Sequence, residues 1–330
     1  MIALLLVPLL LPWVLPPLAR RTAGRVRPEV ALWTITAAAG ALAVGVVACL
    51  GVLLLPLALA IPPLAALVHL IQPLQAGPAL LALGVSVLSA GIVAVTGVTV
   101  VRRGLSEVRR LRVAHGEVAH LPHAGGLCVL EDPCPDAYAL PGLLGPGRIV
   151  VTSGMLRSLD PKEREVLLAH ERAHLAARHH LFLAAAQVAG WCHPALAAVI
   201  PQVSFAAERA ADESAARATG SRRLTAQAVG RAALAATRGG ERLGGSMLAA
   251  GAVTGPVPAR VKALLIQAPA RRIVPALLAM ALVCTTAGTC SLGGAIWLHR
   301  GVEIAQGEHP ADLQGAPRPP CIRCSADEIH

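Results

Sequence analysis

The sequence predicts a mostly α-helical integral membrane protein, with about four spanning helices and one α+β domain that carries a small sheet. Three observations lead there. Of the 330 residues, 55% are hydrophobic, above the roughly 45–50% of an ordinary soluble domain. The excess gathers in blocks near 2–18, 30–71, 78–101 and 273–298, with a weaker one at 181–201. Arginines cluster at the edges of these blocks, as basic residues do beside the cytoplasmic ends of spans.

Residues 2–18 lack the basic leader and small-residue cleavage site of a signal peptide. Arg20 and Arg21 follow the apolar block instead of preceding it, so an uncleaved first span is expected. Block 30–71 exceeds the about 20 helical residues that cross a bilayer, and Pro56, Pro62 and Pro63 interrupt it. A second span over 30–55, then an outer segment, fits. Residues 78–101 hold no ionisable side chain before Arg102 and make the third span. Residues 1–101 are thus an N-terminal membrane region, and 273–298 form the fourth helix.

Orientation follows from the arginines. Arg20, Arg21, Arg25 and Arg27 follow the first block, Arg102, Arg103, Arg109, Arg110 and Arg112 follow the third, and Arg271 and Arg272 precede the last. The positive-inside bias then places the N-terminus outside, residues 102–272 in the cytoplasm, and the tail 299–330 outside again. From Gly307 onward that tail has a disordered composition. The net charge of +10 sits mainly at these headgroup-facing positions, and the aromatic content is 2%. With few stacking platforms, nucleic acid is excluded as a partner, and the bilayer is the expected one.

The eight cysteines form no disulfide framework. Cys128, Cys134 and Cys192 fall in the cytoplasmic part and are expected reduced. Cys49, Cys284 and Cys290 lie in spans, as packing residues. Cys321 and Cys324 make one CxxC in the tail, a local disulfide or an incidental pair rather than a metal site.

The cytoplasmic segment carries the chemistry. Asp160-Pro161-Lys162-Glu163 starts a helix, with an N-cap acid, proline at the first position and a capping-box glutamate. The chain then runs PKEREVLLAHERAHLAARHH without a breaker. His170 and His174, four apart, project from one face and can reach one ion. Glu171 lies beside them, placed to take a proton from water rather than to bind the metal. This HExxH spacing predicts Zn2+.

Catalytic zinc requires a third protein ligand, and two candidates compete. His180 stands ten residues after His170, the spacing of HExxHxxGxxH, but Ala177 occupies the place where that pattern turns on glycine. On an unbroken helix His180 would lie about 15 Å along the axis from His170. The other candidate is Glu208, followed one turn later by Asp212. Glu208 could ligate, while Asp212 accepts a hydrogen bond from a ligand histidine. Their bland alternative is two acids on the solvated face of an alanine-rich helix. If His174 and Glu208 share an ion, block 181–201 cannot cross the membrane fully. It is then a core helix or a re-entrant segment, bent at Gly190, His193 and Pro194.

Taken together, Arg148–Thr152, Ser153-Gly154-Met155-Leu156, the HExxH helix, Trp191-Cys192-His193-Pro194 and Glu208-x-x-x-Asp212 resemble the gluzincin membrane peptidases. The nearest resemblance is to the BlaR/MecR antirepressor-type family, related to HtpX-type and CAAX prenyl endopeptidases. It covers roughly 134–266 and ends on Pro258-Ala259-Arg260-Val261-Lys262. The resemblance implies a zincin-like domain that hydrolyses peptide bonds in a cell (inner) membrane. It implies zinc on His170, His174 and Glu208, Glu171 as general base, and Asp212 behind the ligands. It also sets Asp136–Gly142 beside the cleft, where Tyr138 and Ala139 would receive a substrate strand; a simple loop is the alternative. The large extracellular sensor domain of BlaR/MecR proteins has no counterpart in 299–330.

Two other functions compete with a peptidase of protein or peptide substrates. One is a non-catalytic membrane regulator or sensor with a structural or vestigial zinc site, which the intact Glu171 argues against. The other is a metal-responsive binder using His115, His120 and His123, which lie in a stretch without ligand-like order. The sequence names no substrate, trigger or oligomeric state.

Overall fold

The computed structural model describes residues 7–58, 79–142, 146–239 and 256–266, with 278, 280–282, 285, 286 and 289 beyond them. The chain divides into two units, Met1–Leu50 with Gly91–Ser291, and Gly51–Ala90 with Leu292–His330. Among the described residues it is mostly helical with one small mixed sheet.

Residues 11–14 form a 3₁₀ turn, followed by α1 (Leu15–Ala23), α2 (Pro28–Ala58) and α3 (Ala79–Ala119). Pro28–Leu54 and Leu83–Ala119 are each long and apolar enough to cross a membrane. They overlap the expected second and third spans. The expected first span differs over its described residues: Pro8, Pro12, Pro16 and Pro17 punctuate it, and Leu15 and Ala19 are buried inside the protein. The fourth expected helix lies outside the described residues apart from a few positions, and the tail 299–330 lies outside them altogether.

The sheet has four strands in the order β1-β2-β4-β3. β1 (His123–Ala124) and β2 (Leu127–Leu130) join through Gly125-Gly126, both at positive φ, the geometry of a tight two-residue hairpin that only glycine adopts freely. β2 runs parallel to β4 (Arg148–Thr152), and β3 (Ala137–Leu140) pairs antiparallel with β4 at the sheet edge. β-Branched Ile149, Val150, Val151 and Thr152 are all buried, as suits a strand covered on both faces. On one face, Ile149, Val151 and Ala137 pack with Leu167, Met155 and Ala232. On the other, Val150, Cys128 and Leu140 pack with Leu111 and Val118 of α3.

Thr152 ends β4 and caps α4 (Ser153–Ser158), its hydroxyl accepting from the Met155 N–H. Gly154 is required there, since a Cβ would overlap the Pro133 carbonyl oxygen. Next come α5 (Pro161–Ala176), α6 (His179–Cys192), α7 (Pro194–Ala197), α8 (Ile200–Thr219), α9 (Arg222–Gly239) and α10 (Val257–Leu265). Block 181–201 therefore runs out along α6, turns at His193 and returns into α8. At about 1.5 Å per residue, the 14-residue α6 is about 21 Å long, short of a crossing.

A second core joins the N-terminal helices to this excursion. Leu15, Ala19, Ile35, Ala39 and Leu42 cluster with Ala186, Ala189, Leu196, Val203 and Ala207. α8 buries Ala206, Ala207, Ala210, Ala211 and Ala215. These small side chains let it lie close along α5, its most extensive neighbour.

Candidate metal centre

The site begins with how α5 is held. Asp160 and Glu163 complete the expected capping box, the Glu163 carboxylate accepting from the Asp160 N–H at 3.0 Å. Arg231 of α9 donates to both acids, at 2.7 and 2.9 Å. α5 buries Val166, Leu167, His170, Glu171, Ala173 and His174 along one side, so the two histidines enter the protein side by side.

The structure brings His170, His174 and Glu208 together. His170 Nε2 lies 3.1 Å from His174 Nε2 and 3.5 Å from Glu208 Oε2, while His174 Nε2 lies 3.5 Å from Glu208 Oε1. Donor atoms on a tetrahedral zinc with bonds of about 2.0–2.2 Å are themselves about 3.3–3.6 Å apart. All three residues are buried, and their donor atoms fall within 4.8 Å of one another. The donor set, two imidazoles and one carboxylate, fits zinc.

Behind the donors stand their supports. Asp212 Oδ1 approaches His170 Nδ1 at 3.1 Å. Arg260 of α10 is 1% exposed and donates to Asp212 through Nε and Nη2, at 2.8 and 2.7 Å. Its Nη1 lies 2.9 Å from Glu208 Oε2. Next to Glu208, Arg209 donates to the carbonyls of Ala23 and Val26, at 2.6 and 3.4 Å. The helix that carries the third donor is thereby tied to the end of α1.

Glu171 is fully buried, and neither carboxylate oxygen meets a hydrogen-bond partner in the protein. Burial pushes it up to about 7, partly opposed by the charge of His170. Burial also pulls His174 down to about 3. For His170 the pull of burial is outweighed by the Asp212 and Glu208 carboxylates, which raise it to about 10. Glu208 follows the same logic in reverse: desolvation would raise it, but Arg260, His174 and His170 hold it at about 2.

Sequence reasoning expects α5 to run unbroken through His180, and that expectation fails. α5 stops at Ala176, and Arg178 takes a left-handed conformation, φ 51° and ψ 43°. His180 is absent from the donor cluster. His179, which sequence reasoning passed over, is 2% exposed and sets Nδ1 3.0 Å from His174 Nδ1. Burial holds His179 at about 4, a neutral ring. Arg260 was visible only as part of a resemblance.

Tyr138 and Ala139 lie on β3, which contacts α5. The Tyr138 ring packs with the Leu111–Val118 cluster, on the sheet face opposite the one packed with Leu167 of α5. There burial pushes its hydroxyl up to about 12.

Residues 107–267, a little under half of the chain and including every residue of this site, match the family described as Peptidase family M48. The match and the His-His-Glu cluster together support a metallopeptidase. No curated protein and no solved structure matches the chain.

Proposed function

We propose that this chain is a membrane zinc endopeptidase that hydrolyses peptide bonds of protein substrates at the cytoplasmic face. His170, His174 and Glu208 hold the metal and Glu171 is the general base. One observation carries the reading. Three donor atoms set for one ion share a helix pair with a buried carboxylate whose oxygens nothing in the protein engages. A purely structural zinc site has no use for that carboxylate.

When bound, zinc supplies Lewis acidity toward the scissile carbonyl and toward water. Glu171, held at about 7, takes a proton from the attacking water near neutral pH. The hydroxyl adds to the carbonyl carbon. As the C–N bond breaks, Glu171 passes the proton to the leaving nitrogen, so one water is consumed. Asp212 steadies the ring of His170, and Arg260 holds Asp212 and Glu208 as anions at that spot. β3 supports a substrate strand because it is an edge strand in contact with α5. Tyr138 and Ala139 would serve through their backbone groups.

The membrane setting is supported by the two apolar helices. A shared side for the arginine-rich loop after α1 and the metal centre is supported by Arg209 and by the Arg217–Glu29 pair, 3.4 Å apart. On that reading, with a crossing by 273–298, the tail is extracytoplasmic. The BlaR/MecR-type resemblance, carried by Trp191-Cys192-His193-Pro194, points toward regulatory proteolysis. Glu171→Gln tests the function: the purified protein should keep zinc and lose cleavage, and turnover surviving the substitution refutes the mechanism. Comparing cleaved cellular proteins between wild type and Glu171→Gln would name the substrate.

A further inference from the structure

The break after α5 puts a third histidine against the metal centre. Were α5 to continue, His179 would sit about 140° around the helix and about 7.5 Å along it from His174, facing elsewhere. Instead Arg178, the only non-glycine residue at positive φ among the described residues, turns the chain back on itself. A left-handed residue with a side chain is strained, so contacts on the far side of the turn offset it. What lies there is His179, buried, its ring edge-on to His174 at 4.7 Å between centroids and 89° between planes.

The geometry also assigns protons. His174 turns Nε2 to His170 and Glu208, so its Nδ1 must carry the hydrogen when Nε2 donates to an ion. For His170 the group nearest Nδ1 is the Asp212 carboxylate, with Oδ1 3.1 Å away. For His174 the atom within reach is His179 Nδ1, at 3.0 Å.

We propose that His179 is the positioning residue for His174: its Nδ1 accepts the His174 Nδ1 proton and holds Nε2 toward the metal. The two ligand histidines thus have unlike supports, a carboxylate behind one and an imidazole behind the other. The proposal rests on the zinc reading of the site. Partners of this kind typically hold about 10–100-fold in metal affinity.

The test uses the full chain in detergent, with zinc affinity measured by competition against a chromogenic chelator. His179→Phe fills the space without an acceptor, and His179→Asn presents an amide oxygen near the place of Nδ1. The expected result is a 10–100-fold loss of affinity for Phe, largely recovered in Asn. The visible spectrum of the cobalt-substituted protein should change in Phe and resemble wild type in Asn. Equal affinity in wild type and Phe overturns the proposal, as does an equal loss in Phe and Asn, which would make His179 a packing residue. Wild type that binds no zinc would instead overturn the metal reading itself.

Discussion

Arg260 offers a sharp test of how the centre is held together. Its guanidinium is fully buried, and its short contacts include two with Asp212 and one with Glu208. Arg260→Met keeps length and apolar bulk but leaves the buried Asp212 and Glu208 carboxylates without their guanidinium. Removing one partner of a buried ion pair costs about 3–5 kcal/mol. At about 2 °C per kcal/mol for a domain of this size, the unfolding midpoint should fall by on the order of 6–10 °C. Arg260→Lys should fall between, because an ammonium cannot fork across Asp212 and reach Glu208 together. The assay is thermal unfolding of the detergent-solubilised, metal-free chain, with Arg217→Ala as control, since the Arg217–Glu29 pair is exposed and such pairs contribute about 0–1 kcal/mol. A midpoint for Arg260→Met within about 1 °C of wild type would show that the carboxylates are not held as anions by this residue.

Zinc binding at pH 7 should release at least one proton, because His170, raised to about 10, is protonated there and Glu171, at about 7, is partly so, while His174 and Glu208 already stand as donors. Calorimetry in buffers of different ionisation enthalpy counts it, and Asp212→Asn should lower the count. Metal-free stability should also decline on the alkaline side. A histidine raised above its unfolded value stabilises fully below about 6.5, and that contribution is lost as pH rises toward about 10. Asp212→Asn should flatten the decline in a denaturant titration run against pH. Gly154→Ala should destabilise by about 1–3 kcal/mol or more through overlap with the Pro133 carbonyl, read as a lower unfolding midpoint.

Much of the site could be read from spacing because its chemistry lies on two helices. The capping box fixed where α5 starts, and four-residue intervals fixed which side chains share a face. The same intervals placed Glu208 and Asp212 on one side of α8, and the burial of the alanines around them settles which side. The break at Arg178 had no such signal: Ala177-Arg178-His179-His180 contains neither glycine nor proline, and the turn shows only in the left-handed Arg178 and the buried His179. Arg260 was hidden by distance, 52 residues beyond Glu208. For residues 7–18 the limit was of another kind. Apolar composition reports that a segment avoids water, and Leu15, with Leu11 and Leu18 packed in the same cluster, does so against protein.

The core shared by α1, α2, α6 and α8 bears on what could ever be cut loose. Leu15, Ala19, Ile35, Ala39 and Leu42 cover the apolar side of the same helix that carries Glu208, and Ala23 and Val26 supply the acceptors for Arg209. The stretch 107–267 therefore shares its core with the helices that precede it. Severed from the first fifty residues, it would bare the apolar side of the helix that carries Glu208, so trimming the front of this chain should cost the candidate site its footing.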